Sequence, residues 1–233
     1  MIVVESKRRD LETLGKMYPD AIIADMTIEA RNCLRRLSPL YPHGGIPIPN
    51  SGYITASCVE AIWEGLKVFE DEDVDTSLFV KKVPKELKRF SQRNGKLLGH
   101  RFGTNGLEIL NHNDACRRIL IPVYRWVLDY KVQDIILRLR EASESKTLVL
   151  LDYNTKCDLH NFMEPLSYAY LVKAYAEGLP PYEDAYETIT HHHLYVGRCA
   201  IPYETTERRV KEIKPYEMPQ QLELPLDFKE HML

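Results

Sequence analysis

The segment from Ser57 to Phe69, with the sequence SCVEAIWEGLKVF, is the feature that most constrains how this chain can fold. In a helical projection apolar residues cover most of its circumference, and only Glu60, Glu64 and Lys67 carry charge. A helix this apolar is normally buried. We therefore predict a buried helix over Ser57–Phe69 whose charged side chains face a cleft or a paired interior, because burying them alone would be costly.

The charged residues of this segment lie on one side of the predicted helix. Glu60, Glu64 and Lys67 fall at i, i+4 and i+7, and Trp63 at i+3 shares their face. Two carboxylates and an amine in a partly dry place make an acid/base or nucleophilic site. The same residues are also compatible with an ordinary surface ion pair of Glu64 and Lys67 beside a core tryptophan.

The chain reaches this segment through a long loop, Ser38–Ser57, which contains four prolines and three glycines. Prolines fix the backbone φ angle, and Gly44 and Gly45 allow a ligand to approach the backbone closely. Loops of this length without secondary structure are commonly functional. The alternative is a rigid structural connection.

Together these residues resemble the NADAR family of N-glycosidases. In that family an F-S-N-F-x-P segment and a proline/glycine loop precede S-E-x-x-x-Q-x-x-K-F. Leu37–Pro42 of this chain is similar to the first element, and Glu60 and Lys67 match the family's glutamate and lysine at the same separation. The chain departs from the pattern with Val59 in place of serine and Glu64 in place of glutamine.

The resemblance continues diffusely over residues 35 to 178. Asp114 and the helical segment after it are similar to the family's second block, and Asp152 with Asp158 is similar to its L-x-E…D segment. Here Asp152 stands where the family has glutamate, Ala115 stands where it has tryptophan, and no Trp-Gly follows Asp158. The resemblance implies activity on riboflavin-pathway intermediates or on ADP-ribosylated guanine.

Cleavage of an N-glycosidic bond defines the roles expected of these residues. The reaction passes through an oxocarbenium-like state, which a carboxylate stabilises while an acid helps the base to leave. Glu60 is the candidate carboxylate, and Trp63 would stack on the base or sugar. The resemblance favours Lys67 as a Schiff-base nucleophile toward the ring-opened ribose. Asp152 or Asp158 would supply the remaining acid/base group.

Substrate-binding candidates come from the loop, the charged segment and two basic regions. They are Ser38, His43, Gly44, Gly45, Trp63, Glu64, His100, Arg101 and Arg125. His100 and Arg101 lie in a second glycine-rich loop, 95–106, which we expect either to receive a phosphate or to form an exposed basic turn. In the resemblance Arg125 would hold a pyrophosphate, and the alternative is a solvated arginine on an amphipathic core helix.

Periodicity predicts an α+β fold, mainly helical, with a few short strands. The predicted strands are 2–4, 21–24 and 147–153, and the predicted helices begin at Asp10, Thr27 (to Arg36), Asp75, Pro84, Asp114 (to Arg140, broken at Pro122) and Leu166 (to Glu177). We expect a single NADAR-like domain over 1–180, an extension over 181–217 and an extended C-terminal tail peptide over 218–233.

Composition limits the class of protein. The chain has 233 residues and a net charge of −3, so it lacks a global nucleic-acid footprint, and any such contact needs a local basic patch. No apolar run is long enough to span a membrane, and the N-terminus lacks a signal-peptide region. Five scattered cysteines indicate reduced thiols and a cytoplasmic protein. Side chains that follow one another in a strand point to opposite faces, so the three adjacent histidines 191–193 cannot easily converge on one ion, and we predict no metal site there. We also expect no cofactor.

The tail carries a second motif that resembles the peptide by which bacterial proteins dock on the DNA-polymerase sliding clamp (Q-L-x-L-x-L/F). Its residues are Gln221, Leu222, Leu224, Leu226 and Phe228. An extended peptide of this kind can fill apolar pockets on a partner, and the alternative is a tail that packs on its own domain. We thus expect an N-glycosidase near replicating DNA, or one that acts on a free nucleotide, or a non-catalytic nucleotide- or ADP-ribose-binding adaptor.

Overall fold

The computed structural model of the chain describes residues 1–89, 91–156 and 166–182. The candidate Asp158, the three adjacent histidines and the five tail residues of the clamp-like motif lie outside the described residues, as does almost all of the predicted 181–217 extension.

The described residues combine helices with short strands, as predicted, in a mixed α/β arrangement. In chain order the elements are β1 (Ile2–Ser6), α1 (Leu11–Met17), β2 (Ile22–Asp25), β3 (Ile46–Pro47), β4 (Thr55–Ala56), α2 (Val59–Gly65), β5 (Lys67–Phe69), α3 (Ser91–Asn94), β6 (Leu97–Arg101), β7 (Ile109–Leu110), α4 (His112–Ala115), α5 (Ile121–Tyr130), α6 (Gln133–Ser145), β8 (Leu148–Asp152) and α7 (Tyr168–Glu177). Shorter 3₁₀ turns cover Cys33–Leu37, Thr76–Val80 and Pro84–Glu86, and a π-helical turn covers Cys116–Leu120. In this part of the chain no helix is long and apolar enough to cross a membrane.

A parallel sheet of order β1-β8-β2 organises one side of the fold. Leu148 and Leu150 of the central strand face the main core, while Val149 and Leu151 pack with Leu14 of α1 on the other face. Burial of both faces explains why this strand reads as a continuous apolar run rather than an alternating pattern. The predicted strand at this position is confirmed.

The predicted helix over Ser57–Phe69 is wrong in its last third. Helix α2 ends at Gly65, and Lys67–Phe69 forms β5, which pairs antiparallel with β6. The carbonyl of Gly65 accepts a hydrogen bond from the Asp75 amide (2.9 Å), so it is not available to continue the helix. Strand pairing thus overrides the helical periodicity, and Lys67 reaches the site from a strand.

Three other local predictions also need correction. The second glycine-rich loop contains β6, the Ser38–Ser57 loop contains the short β3–β4 pair, and no α-helix spans 27–36. Thr27 does not cap a helix, since its hydroxyl donates to Asp25 Oδ1 (2.8 Å), its oxygen accepts from Lys7 Nζ (2.8 Å), and the chain turns there instead. The segment predicted from Asp114 to Arg140 divides into α4, the π-helical turn, α5 and α6.

Replacement of Gly65 by alanine tests the packing that ends α2. A Cβ at this position would lie 2.4 Å from Cε1 and 2.9 Å from Cδ1 of Phe79, whose ring is buried. We expect Gly65→Ala to lower the free energy of unfolding by about 1–3 kcal/mol in urea titrations. The matched control is Gly15→Ala in α1, where a Cβ meets no atom within 4 Å. That variant should be stabilised by about 0.4–1 kcal/mol. Equal stabilisation of both would contradict the packing account.

Candidate active site

A pocket of about 420 Å³ opens where three segments meet. The loop before α2, the first turn of α2 and the segment around the Pro84–Glu86 turn provide its walls. The lining residues are Pro39, Leu40, Glu60, Pro84, Lys85, Leu87 and Lys88. The pocket therefore combines an apolar wall with one carboxylate and two amines, which suits an amphiphilic ligand with an anionic group.

Backbone contacts hold the proline- and glycine-rich loop against α2. The Glu60 amide donates to the Pro39 carbonyl (3.1 Å), and the Gly44 amide donates to the Ser57 carbonyl (2.8 Å). Ser38 is buried and its Oγ accepts from the Leu40 amide (3.3 Å). These contacts hold the loop as one wall of the pocket, which agrees both with a functional loop and with a rigid structural connection.

Gly44 and Gly45 supply the turn in this loop. Their φ values are +70° and +64°, and a Cβ at either position would meet no atom within 4 Å. Glycine is therefore favoured there by the left-handed backbone and not by close packing.

Glu60 combines a position in the pocket wall with an unusual protonation equilibrium. Burial raises the pKa of its carboxyl to about 7, and the neighbouring negative charge of Glu64 adds to the increase, while Lys67 and Lys88 partly oppose it. Glu60 and Glu64 are four residues apart in α2 and so share one face of the helix. A group with a pKa near 7 can both donate and accept a proton at neutral pH.

Glu64 and Lys67 form an almost dry ion pair next to this carboxyl. Lys67 Nζ donates to Glu64 Oε1 (2.5 Å), and the Arg89 amide donates to Glu64 Oε2 (3.2 Å). The side chains of Glu64 and Lys67 are 8% and 16% exposed. The pair is therefore not the solvated surface pair that the sequence also allowed, and Lys67 is not an isolated amine.

Arg89 is a member of the site that the sequence did not reveal. Its guanidinium donates to the carbonyls of Lys67 (2.6 Å) and Asp73 (2.7 Å), pairs with Glu72 (3.1 Å) and lies 4.8 Å from the Phe69 ring centre. It thus fixes the backbone of β5 and, through it, Lys67. Lys85, Lys88 and Arg89 lie close together in the sequence, but nothing in the sequence indicates which of these cations turns toward the interior.

Trp63 is stacked on a histidine. Its ring centre lies 3.8 Å from that of His100 and 5.6 Å from that of His112. His100 is 1% exposed, and among the described residues neither of its ring nitrogens has a hydrogen-bond partner. Burial, with a contribution from Lys67 opposite it on β5, lowers the pKa of His100 to about 3, so the ring is neutral at physiological pH. A stacking role for Trp63 toward a substrate stays a prediction.

Three predicted binding residues already have partners within the fold. His43 Nε2 contacts the Arg36 carbonyl (2.8 Å), and burial lowers the pKa of its ring. Arg101 makes a two-pronged pair with Asp73 (2.9 and 2.7 Å). Arg125 Nε lies 3.5 Å from Asp129 Oδ2, and its guanidinium faces the Tyr182 ring. None of these three lies among the pocket-lining residues.

Asp152 joins β8 to the start of α7. Its carboxylate accepts from the amides of Tyr153 (2.7 Å) and Ala169 (3.2 Å), and Ser167 Oγ lies 3.4 Å away. Burial raises the pKa of Asp152 although these hydrogen bonds oppose the increase. The pKa of Tyr168 is raised by burial first, then by Glu60, with Asp152 a smaller contributor, so this phenol connects the two carboxyl groups electrostatically.

The described residues contain no group of three or more His, Cys, Asp or Glu side chains able to hold a metal ion. The arrangement places a carboxyl group with a raised pKa in the pocket wall and an almost buried carboxylate–amine pair in the same segment of the chain.

Comparisons with known proteins assign a family without an activity. No curated protein and no solved structure matches the chain. Residues 6–172 match the sequence profile of DUF6939, a family of unknown function, and this range includes Glu60, Glu64 and Lys67. The match covers more than half of the chain, which therefore belongs to the DUF6939 family.

Proposed function

We propose that this chain is an N-glycosidase that cleaves a base–ribose or base–ADP-ribose bond. The observation that carries the proposal is Glu60, a carboxyl group with a pKa of about 7 in the wall of a pocket and within electrostatic reach of a lysine. The NADAR-like pattern around Glu60 and Lys67 supports the same reaction class.

Glu60 acts in this proposal as the general acid. It donates its proton to the base nitrogen as the bond between C1′ and that nitrogen breaks, so the base separates from the sugar as a neutral group and, in ADP-ribosylated DNA, stays in the strand. We call this separation of base and sugar base release. The pocket's apolar wall of Pro39, Leu40 and Leu87 keeps water away from the carboxyl and so maintains its raised pKa.

Lys67 acts as the nucleophile and Glu64 as its base. The ammonium passes a proton to Glu64 Oε1, 2.5 Å away, and the free amine bonds to C1′ as the base leaves. One proton of the attached nitrogen then passes to the ring oxygen, the ring opens and a protonated imine forms. Water hydrolyses the imine to the sugar aldehyde and restores the Lys67 ammonium, and the proton on Glu64 returns to Glu60.

Chemical trapping tests the role of Lys67 directly. The full chain is incubated with ADP-ribosylated guanine DNA, ADP-ribosyl-guanosine and riboflavin-pathway ribosyl intermediates, with sodium borohydride present to reduce any imine. We expect a sugar adduct on Lys67 in peptide mass spectra. Lys67→Arg retains the ion pair with Glu64 but cannot form the imine, so it should give no adduct. Base release by Lys67→Arg at the wild-type rate would exclude the Schiff-base mechanism.

A non-catalytic adaptor that binds a nucleotide or ADP-ribose is the second candidate. The observation that favours it is the complete pairing of Lys67 with Glu64, supported by Arg89, which resembles a structural ion pair. Binding of ADP-ribose in calorimetry without base release from any substrate would favour the adaptor.

Recruitment to the bacterial sliding clamp is a separate part of the proposal. It rests on the tail motif Gln221–Phe228 alone. Deletion of residues 221–233 should abolish capture of the chain by immobilised clamp, and capture of the truncated chain at full yield would remove this part.

A further inference from the structure

Three exposed lysines follow one another in the segment that forms one wall of the pocket. Lys82, Lys85 and Lys88 are spaced three residues apart, and all three side chains are exposed. Lys85 and Lys88 line the pocket, whereas Lys82 lies outside its lining. A cationic rim therefore begins at the pocket and continues beyond it.

These lysines keep their charge available. Their neighbour Lys81 pairs with Glu86 (3.4 Å), but within the described part of the chain none of the three forms an ion pair. The acidic run of residues 70–73 lies before them in the sequence. Three of its four members have other partners: Glu72 pairs with Arg89, Asp73 pairs with Arg101, and Glu70 accepts from the Lys96 amide.

The rim contrasts with the rest of the molecule. The whole chain carries a net charge of −3, so an accumulation of lysines without an ion pair at one pocket is local, and the carboxyl among the lining residues is Glu60, whose pKa Lys88 lowers. Val80 and Val83, 73% and 49% exposed, flank the lysines with apolar surface. Several cations spaced along one segment suit a ligand that carries several phosphates.

We propose that Lys82, Lys85 and Lys88 bind the phosphates of a nucleic-acid single strand, one base of which enters the pocket. The inference rests on the proposed function in that the entering base is the one whose glycosidic bond is cleaved. The contribution of Lys82 to binding distinguishes a strand from a free nucleotide, since a ligand confined to the pocket contacts Lys85 and Lys88 only. A base must leave its stack to reach such a pocket, which favours single-stranded over paired substrate.

Salt-dependent binding tests this surface without relying on turnover. We expect the full chain to bind a fluorescein-labelled, unmodified single-stranded DNA in fluorescence anisotropy. The plot of log affinity against log salt between about 50 and 200 mM should have a slope of about −2, from three phosphate contacts. Lys82→Ala should reduce the slope to about −1.4, and Lys82→Ala/Lys85→Ala/Lys88→Ala should remove most of the binding. The control Lys146→Ala removes an exposed lysine at the end of α6 and should change neither value.

A second arm uses ADP-ribose in calorimetry to distinguish the phosphate sources. Lys82→Ala should leave ADP-ribose affinity unchanged, while Lys85→Ala and Lys88→Ala should weaken it. An unchanged strand affinity and salt slope in the triple variant would overturn the inference. A second combination of results would also overturn it: Lys82→Ala leaves the strand affinity unchanged, while Lys85→Ala and Lys88→Ala weaken the affinity for ADP-ribose. The lysines would then bind a small ligand and not a strand. Lysine-dependent strand binding without any base release would support the surface and count against the N-glycosidase only.

Discussion

Glu60→Gln is expected to lower the rate of base release by about 10²–10⁴-fold, since the amide has no proton to donate to the leaving base. In the wild-type protein we expect the same carboxyl to set the pH dependence. Its pKa of about 7 means that the rate should fall as pH rises through about 7, where the general acid loses its proton. The measurement is kcat/KM for base release against pH, in wild-type and variant proteins. A residual rate of Glu60→Gln that still falls with a midpoint near pH 7 would assign this titration to another group.

The same substitution should have an opposite effect on stability. The Glu60 pKa is raised from 4.5 to about 7 by folding, so between these values the folded state binds more protons than the unfolded state. The free energy of unfolding of the wild type should therefore fall as pH rises through this window, by about 3 kcal/mol in total. Glutamine does not titrate. The free energy of unfolding of Glu60→Gln should therefore increase relative to that of the wild type by about this amount between pH values of about 5 and 8. Urea unfolding at both pH values measures the difference, and a constant difference would show that Glu60 titrates normally.

Glu64→Ala is expected to destabilise the fold by about 3–5 kcal/mol, the effect of removing one partner of a buried ion pair. The Lys67 ammonium loses its carboxylate, and the Arg89 amide loses its acceptor, in a place almost closed to water. The measurement is urea unfolding of the full chain. Glu64→Gln is the matched variant, since its amide oxygen can still accept one of these hydrogen bonds, and it should lose clearly less.

Glu64→Gln also provides a kinetic test. The negative charge of Glu64 helps to raise the Glu60 pKa, while Lys67 lowers it. Removing the Glu64 charge also removes the base proposed for Lys67, so base release should be slower. The residual rate should decline at a lower pH than in the wild type, because the Glu60 pKa is lowered. A shift to higher pH would contradict the arrangement of the three groups.

The sequence was a good guide where a single pattern determined the structure. The apolar run of β8, the helix of α7 with its Gly178 cap and the burial of the Glu64 side chain all follow from local composition. The proline- and glycine-rich loop was expected to border the site, and Pro39 and Leu40 do line the pocket.

Contacts between distant segments could not be predicted in the same way. Lys67 lies on a strand because β6, about thirty residues later in the chain, pairs with it. Arg89 turns inward to reach the Lys67 and Asp73 carbonyls, and His100 is buried under Trp63, although both belong to stretches that read as exposed and basic. Whether such residues are buried, and in which element they lie, depends on tertiary packing, which the hydrophobic periodicity of a single segment does not show.

The most direct test of the central claim is cleavage of the glycosidic bond, followed by mass spectrometry as ADP-ribose released from ADP-ribosylated guanine DNA and ADP-ribosyl-guanosine, and as free base released from riboflavin-pathway intermediates. Wild-type protein and Glu60→Gln are compared in parallel at pH values of about 6 and 8. We predict release by the wild type that is faster at the lower pH and almost absent in Glu60→Gln. No release from any substrate, or equal release by both proteins, would contradict the assignment of Glu60 as the general acid of an N-glycosidase.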